Sequence, residues 1–150
     1  MNRARGLSLL ELLVVVALIA TLAGLGAMVA GRALPGQQLR GAARELAAEL
    51  RFTRAQAIAT GTEQVFRLDV DSRRWDAAGR RSGELPAQIE LLATTARQEQ
   101  PASREAAVRF FPEGASTGAR FVLRRGDAAW RVDVAWLTGE VTLARGEGTP

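Results

Sequence analysis

The sequence contains no cysteine, no histidine and no tyrosine, and every basic residue in it is arginine. Without cysteine, neither disulfides nor thiolate metal sites can form. Without histidine and tyrosine, the commonest general base and two common kinds of ligand are missing. The sequence also lacks a Ser/His/Asp set, a glycine-rich phosphate loop and a metal-ligand cluster. We therefore expect a protein that is not an enzyme and that binds no cofactor or metal.

The absence of lysine also explains an extreme isoelectric point of about 11.2. The formal net charge is only +4. No side chain titrates between the carboxylates and the guanidinium groups, so a small excess of arginine is enough to raise the isoelectric point this far. The arginine pairs at 73–74, 80–81 and 124–125 are interleaved with acids, which indicates a solvated surface. Nucleic acid is therefore not an expected partner.

A long apolar run near the N-terminus begins beside a single acid, Glu11. Residues 12–30 carry no charge, and as a helix they would be roughly 28 Å long, close to the thickness of the hydrocarbon core of a bilayer. Arg3 and Arg5 precede the run, which predicts a cytoplasmic N-terminus. An unpaired acid at the bilayer centre costs about 3 kcal/mol. A removable secretory signal would have a shorter apolar core, and a plain anchor would leave Glu11 unexplained.

A cut between Gly6 and Leu7 would supply a partner for this acid. The new α-amine, with a pKa of about 8, would be positively charged. Glu11 would then be the fifth residue of the mature chain, about 6 Å from the amine along a helix. A neighbouring copy, shifted along the helix axis, would place its amine against this carboxylate. Such a pair would neutralise both groups in the membrane and set the register between subunits.

The residues RG-LSLLELLVVVALIATL resemble the class III signal of type IV prepilins and type II secretion pseudopilins. In that family a prepilin peptidase cuts after the glycine and methylates the new N-terminus, and the glutamate at the fifth mature position aids filament assembly. The resemblance implies that Gly6 is the cleavage residue, Leu7 the methylated terminus and Glu11 the acid that pairs charge during assembly. The sequence departs from the family pattern at one position, because phenylalanine is usual where Leu7 stands.

Beyond the apolar run, Pro35 and Gly36 predict a kink or a break, because proline removes a backbone donor and crowds the preceding turn. The helical pattern then resumes, and Gly61 is its predicted end. Small and apolar residues recur there at three- and four-residue steps, and we predict that this stripe packs on the following sheet. The stripe consists of Leu39, Ala43, Leu46, Leu50, Thr53 and Ala57.

After Gly61 the period changes from helical to alternating, which predicts strands. A turn at Thr138-Gly139 joins the last two strands as a hairpin, and a polar surface loop is predicted at 94–105. Trp130 and Trp136 are both predicted to lie in the core. The predicted strands cover residues 65–70, a short return from Trp75, and residues 88–93, 108–111, 119–125, 129–136 and 141–144.

The phrases ELAAELRFTRAQAIATG, FFPEGAST-GARFVL and WRVDVAWLTGEVTL are similar to the GspH family of minor pseudopilins. The resemblance implies an α+β, pilin-like fold, in which a long N-terminal transmembrane α-helix packs on a small C-terminal antiparallel two-sheet β domain. It divides the chain into a prepilin leader (residues 1–6), a transmembrane and assembly helix (7–34), the periplasmic part of the helix (35–61) and a β-rich globular domain (62–150).

By the same resemblance, we expect a minor pseudopilin of the type II secretion system, placed near the pseudopilus tip and helping to export folded proteins across the outer membrane. Its expected partners are other major and minor pseudopilins, the prepilin peptidase and inner-membrane lipid. It would cross the bacterial inner membrane once, with a cytoplasmic N-terminus and a periplasmic globular domain.

Two alternatives remain open. A FimT/FimU-like minor pilin of a type IV pilus would serve adhesion, twitching or DNA uptake, and an exposed C-terminal surface with Arg124, Arg125 and Arg145 would be its sign. A monomeric membrane-anchored domain would keep an uncut N-terminus. Asp69 and Asp71 have the alternating spacing of a calcium loop but lack its glycine and glutamate, so we interpret them as a strand end and a turn.

Overall fold

A computed structural model describes residues 9–95 and 105–146, with backbone alone for residues 24–35. The chain divides into two compact units, Met1–Pro35 and Gly36–Pro150, and helix α1 (Leu9–Thr60) contributes to both. The backbone of α1 is helical on both sides of Pro35, so of the predicted kink or break, the break is wrong. One proline removes only one backbone hydrogen bond, and the alanine, leucine and arginine residues around it favour helix. Among the residues whose side chains are described, no helical stretch is both long and apolar enough to span a membrane.

Helix α1 ends where the sequence predicts, at Thr60. Gly61 follows with a φ of 63°, and this left-handed conformation ends helices because glycine has no Cβ to resist it. The predicted stripe is confirmed, because all six of its side chains are fully buried, and all but Thr53 belong to one hydrophobic cluster with residues of the strands. This burial is the main source of stability for the second half of the helix.

The strands form two four-stranded antiparallel sheets. The first has the order β3-β2-β1-β5 and the second the order β4-β6-β7-β8. The predicted two-sheet antiparallel β domain is therefore confirmed. The strand bounds are β1 (Gln64–Asp69), β2 (Arg74–Ala77), β3 (Arg81–Glu84), β4 (Glu90–Thr95), β5 (Glu105–Phe110), β6 (Ala119–Arg125), β7 (Ala128–Val134) and β8 (Val141–Arg145).

Aromatic rings join the two sheets at the centre of the core. The ring centre of Phe66 in β1 lies 6.4 Å from that of Phe121 in β6, and the two rings are edge-on. It lies 6.2 Å from the ring centre of Trp75 in β2, and these two rings are stacked. Phe66 and Phe121 are fully buried. Because the two sheets and the helix bury one common cluster, the globular unit has a single core.

The structure corrects two expectations about the strands. Trp136 is 69% exposed, not buried, because β7 ends at Val134 and the side-chain alternation ends with it. Strand β3, with the sequence RSGE, has no apolar pattern and was not predicted. It is an edge strand that pairs, among the described strands, only with β2. None of its four residues is fully buried, so it needs no hydrophobic residue. The loop predicted at 94–105 lies mostly outside the described residues.

Asp69, one of the two acids with the spacing of a calcium loop, stabilises the turn between β1 and β2. One oxygen of Asp69, Oδ1, accepts hydrogen bonds from the backbone N–H groups of Asp71 and Ser72, each at 2.9 Å. These hydrogen bonds hold the pKa of Asp69 below its usual value of 3.8, and the bond from the backbone of Ser72 has the larger effect. The carboxylate thus forms the Asx-type turn that the strand-end interpretation expects.

Replacing Asp69 by alanine is expected to lower the free energy of unfolding at neutral pH more than at acid pH. The pKa of Asp69 is depressed in the folded chain, so the carboxylate contributes fully above 3.8 and loses this contribution as pH falls through the folded pKa. Urea unfolding of the full chain in detergent, at neutral pH and below about pH 3, would measure the difference. Asp76→Ala, at an exposed acid of β2, is the matched control, and an equal loss for Asp69→Ala at both pH values would contradict the expectation.

Candidate assembly surfaces

The first part of α1 presents an apolar surface on all sides. Every described side chain from residue 9 to residue 23 is exposed, and the large hydrophobic ones range from 49% exposure at Val14 to 83% at Leu9. A helix that is hydrophobic all round belongs in a protein core or in lipid. This part of α1 is therefore stable only where lipid or neighbouring helices cover it.

Glu11 is the one charged side chain among described residues 9–23. It lies exposed in the first turn of α1, where a carboxylate is favoured by the positive end of the helix dipole. Within the part of the chain that the structure describes, Glu11 forms no ion pair. Gly6 and Leu7, the predicted cleavage and methylation residues, lie outside the described residues. The helix thus offers an unpaired acid within an unpartnered apolar surface.

A second arrangement of interest lies near the other end of α1. The Nε atom of Arg54 donates to the backbone carbonyls of Gly114, at 3.0 Å, and Thr138, at 3.1 Å. One turn earlier, Arg51 donates to the carbonyl of Val141 through Nη2 at 2.8 Å. Two arginines on the helix therefore hold the loop after β5 and the turn between β7 and β8. The sequence identified neither role, because a helix-to-loop contact leaves no periodic signal.

Replacing Arg54 by methionine is expected to reduce the free energy of unfolding by about 1–2 kcal/mol. Methionine keeps much of the aliphatic packing but leaves the carbonyls of Gly114 and Thr138 without their donor. Urea unfolding followed by tryptophan fluorescence would measure the change. Arg44→Met, at an exposed position of the same helix, is the control, and equal stability of the two variants would contradict the expectation.

Arg81 also has a structural role that its position in an arginine pair did not indicate. Its Nε and Nη2 atoms donate to the two oxygens of Glu49, at 2.8 and 2.5 Å, and its guanidinium lies 4.7 Å from the ring centre of Phe52. The hydrogen bond to Glu49 raises the pKa of Arg81 above its usual value. Glu49 is only 6% exposed, so this bidentate partner satisfies a buried carboxylate on the helix.

The three arginines that would indicate a nucleic-acid surface do not share one face. Arg125 lies on the same face of β6 as the buried Leu123, which precedes it by two residues. Arg145 lies on that face as well, because it pairs with Trp130, and Trp130 pairs with Leu123. Arg124 therefore points to the other face of the second sheet, because successive side chains alternate along a strand. No common surface of these three side chains supports the pilus alternative.

Comparisons with known proteins agree with this architecture. A family model described as "Type II transport protein GspH" matches residues 42–139, and the prokaryotic N-terminal methylation motif matches residues 1–27. The chain is 52% identical over 140 residues to type II secretion system protein H of Xanthomonas campestris pv. campestris, covering 93% of this chain and 83% of that protein.

Solved structures show the same fold at low identity. The minor pseudopilin EpsH from the type 2 secretion system of Vibrio cholerae matches with a TM-score of 0.57 at 19% identity, over 72% of this chain and 97% of that one. The type IV minor pilin FimU of Pseudomonas aeruginosa matches with a TM-score of 0.57 at 16% identity, over 72% of this chain and 89% of that one. The two likenesses together define the fold as pilin-like.

The family model and the relative at 52% identity identify a family, whereas the solved structures show only the fold. The chain belongs to the GspH family of type II transport proteins. The N-terminal methylation motif, together with this membership, also implies a membrane-anchored protein.

Proposed function

We propose that this chain is a minor pseudopilin of a type II secretion system, made as a prepilin and cut between Gly6 and Leu7. The new N-terminus at Leu7 would be methylated by the prepilin peptidase. Residues 7–34 would hold the subunit in the bacterial inner membrane, with the leader cytoplasmic and residues 62–150 periplasmic. The mature subunit would then join a short pseudopilus near its tip, among other major and minor pseudopilins, and help move folded proteins across the outer membrane.

The observation that carries this proposal is the exposed apolar surface of α1 with its single acid. Ten large hydrophobic side chains between Leu9 and Leu22 are 49–83% exposed, and none of them belongs to the hydrophobic core cluster. Lipid covers such a helix before assembly, and the helices of neighbouring subunits cover it afterwards. Packing between helices in lipid depends on van der Waals contact and on the satisfaction of polar groups.

Glu11 gives this packing a register. In lipid, a lone carboxylate is costly, and a neighbouring α-amine is a compact cation that can offset the cost if it lies in contact. The amine belongs to the first mature residue, so only a neighbour displaced along the axis by about a helical turn can bring it to Glu11. The acid therefore favours one stagger between adjacent helices over the others.

The chain acts, in this proposal, as a subunit and as the substrate of the peptidase. Membership of the GspH family and the curated relative support a structural role. The core of the globular unit includes side chains from residues 39–57 of α1 and no described side chain from residues 9–23, which supports assembly through the first part of the helix.

Mild crosslinking in native membranes, followed by pull-down and mass spectrometry, tests the proposal. The expected result is an N-terminal peptide that starts at methylated Leu7, together with other secretion pseudopilins. If the same peptide were found together with pilus subunits, the protein would be a type IV pilus subunit instead. An intact Met1 terminus in cells with an active prepilin peptidase would overturn the proposal and leave a monomeric anchored domain.

A further inference from the structure

A short segment of the globular unit lies outside the core, although the residues on both sides of it are buried. It runs from Ala78 to Glu84 and consists of the turn after β2 and strand β3. Only Ala78 of these residues is buried. Trp75, before the segment, is 4% exposed and Leu85, after it, is 1% exposed, and both belong to the core cluster. The segment, which we call the strap (residues 78–84), is therefore fixed at its ends and buries little between them.

The backbone of the strap is held along one edge and strained at its turn. Strand β3 pairs, among the described strands, only with β2. In the turn before it, Gly79 has a φ of 70° and Arg80 a φ of 62°, and this left-handed conformation is unfavourable for a residue with a Cβ, such as Arg80. Local opening costs least where few apolar side chains are buried and where the hydrogen bonds lie at an exposed edge. The strap meets both conditions, so we expect it to open before the core does.

The strap covers the ring of Trp75 with its backbone. A Cβ on Gly83 would lie 2.5 Å from Cζ2 of Trp75, so the strand fits closely over the ring because residue 83 has no side chain. Beneath the strand, Nε1 of Trp75 is buried and has no hydrogen-bond partner in the part of the chain that the structure describes. A buried donor without an acceptor costs free energy. Opening of the strap would let water reach this N–H group, which favours the open form.

One side chain of the strap reaches across to helix α1. The Nε and Nη2 atoms of Arg81 donate to the two carboxylate oxygens of Glu49, and Cζ of Arg81 lies 4.7 Å from the ring centre of Phe52. The side chain of Arg81 is 51% exposed, whereas that of Glu49 is 8% exposed. A carboxylate that accepts two parallel hydrogen bonds beside an aromatic ring suits a planar guanidinium better than an ammonium group. The helix thus supplies the site, and the strap supplies the group that fills it.

We infer that the strap opens independently of the core, and that Arg81 keeps it closed by filling, within the same chain, a guanidinium-binding site formed by Glu49 and Phe52. The open form leaves this site free to take a guanidinium group from another molecule. Because a buried carboxylate is costly without a partner, Arg81 and an added guanidinium compete for the site. The contact of Arg81 is therefore autoinhibitory. The inference concerns the residues from 36 onward and does not depend on the proposed function.

Hydrogen exchange of the full chain in detergent, resolved to single amides, tests the independent opening. The N–H of Leu85 donates to the carbonyl of Arg73 at 2.9 Å, and bonded pairs alternate along an antiparallel ladder, so the amides of Gly83 and Arg81 also face β2. Strands β6 and β7, which have neighbours on both sides, report opening of the core. After correction for intrinsic rates, we expect Gly83 and Arg81 to exchange at least about tenfold faster than β6 and β7. Equal exchange in the strap and in these strands would overturn the inference.

Substitution of Arg81 tests its role in keeping the strap closed. In Arg81→Met we expect exchange at Gly83 to rise by a further factor of about ten, because two charge-assisted hydrogen bonds are lost, and exchange in β6 and β7 to stay the same. Arg80→Met is the matched control, because Arg80 is the adjacent residue, is exposed and forms no ion pair with another described residue. Equal effects of the two substitutions would overturn the role given to Arg81.

The guanidinium site is tested with methylguanidinium, since Arg81→Ser leaves Glu49 and Phe52 in place. We expect millimolar methylguanidinium to raise the thermal unfolding midpoint of Arg81→Ser by about 1–3 °C, and methylammonium to have no such effect because it lacks the planar fork. The parent chain, whose site is filled, and the double variant Glu49→Gln/Arg81→Ser are expected not to respond. Arg81→Met serves in the same way if Arg81→Ser does not fold. The absence of a rise, or an equal rise with methylammonium, would overturn the guanidinium site.

Discussion

Glu11→Val is expected to insert into the membrane at least as well as the parent chain but to reach the pseudopilus about tenfold less. Removal of an acid from the apolar segment lowers the cost of insertion, which is about 3 kcal/mol for an unpaired acid at the bilayer centre. The same change leaves the α-amine of a neighbouring subunit without its carboxylate and removes the preference for one stagger. A loss of about 1.4 kcal/mol of pairing corresponds to a factor of ten in assembly.

The measurement compares the amount of processed protein in the isolated pseudopilus with the amount in the membrane. Thr21→Val is the matched control. It also makes an exposed position of α1 more apolar, but the Thr21 hydroxyl donates to the carbonyl of Leu18 within the same helix, at 2.8 Å, and carries no charge. The N-terminal peptide is measured in both variants, so that a failure of cleavage is separated from a failure of assembly. Equal recovery of Glu11→Val and the parent chain in the pseudopilus would contradict the charge-pairing role.

Gly139→Ala is expected to destabilise the β domain by about 3 kcal/mol or more, which few single substitutions exceed. Gly139 has a φ of 65°, and alanine in this left-handed region costs about 1 kcal/mol. A Cβ on Gly139 would also stand 2.2 Å from the carbonyl oxygen of Gly114. Since that atom is backbone, the two loops must move apart, and the hydrogen bonds of Arg54 to Gly114 and Thr138 weaken together.

Gly126→Ala separates these two effects. Gly126 lies in the β6–β7 turn with a φ of 57° and has no atom within 4 Å of the position of a Cβ. We expect only the conformational cost of about 1 kcal/mol there. Urea unfolding of both variants as full chains in detergent would measure the two losses in the free energy of unfolding. Equal losses would contradict the expectation, because the contact of the new Cβ with Gly114 would then add no destabilisation.

The sequence predicted the helix and the strands whose apolar residues recur at a regular spacing. Leu39, Leu46 and Leu50 occur at helical spacing, and a helix on a sheet buries one stripe at that spacing, so their burial followed from the pattern alone. Strand β6 was predicted with its observed bounds, because ARFVLRR alternates and lies between turn residues. A left-handed glycine likewise marked the end of α1.

The prediction failed where local pattern and tertiary pairing differ. Trp136 continues the alternation of β7 by sequence, yet the chain leaves the sheet after Val134 to reach the next turn, which turns the ring outward. Strand β3 pairs with β2 through its backbone and needs no apolar side chain, so RSGE gave no signal. The break predicted at Pro35 did not form, because the helix-favouring residues on both sides outweigh one missing hydrogen bond.

The sequence by itself determined which residue types are absent, the N-terminal signal around Glu11 and the helical stripe. Each of these depends on residue identity or on short-range spacing, which a single chain displays directly. Only the tertiary structure decided the role of Arg54 and the close approach of Gly139 to Gly114. Gly114 and Gly139 are 25 positions apart, and Arg54 is 60 positions from Gly114 and 84 from Thr138. No local rule of propensity or periodicity relates such positions before the core brings them together.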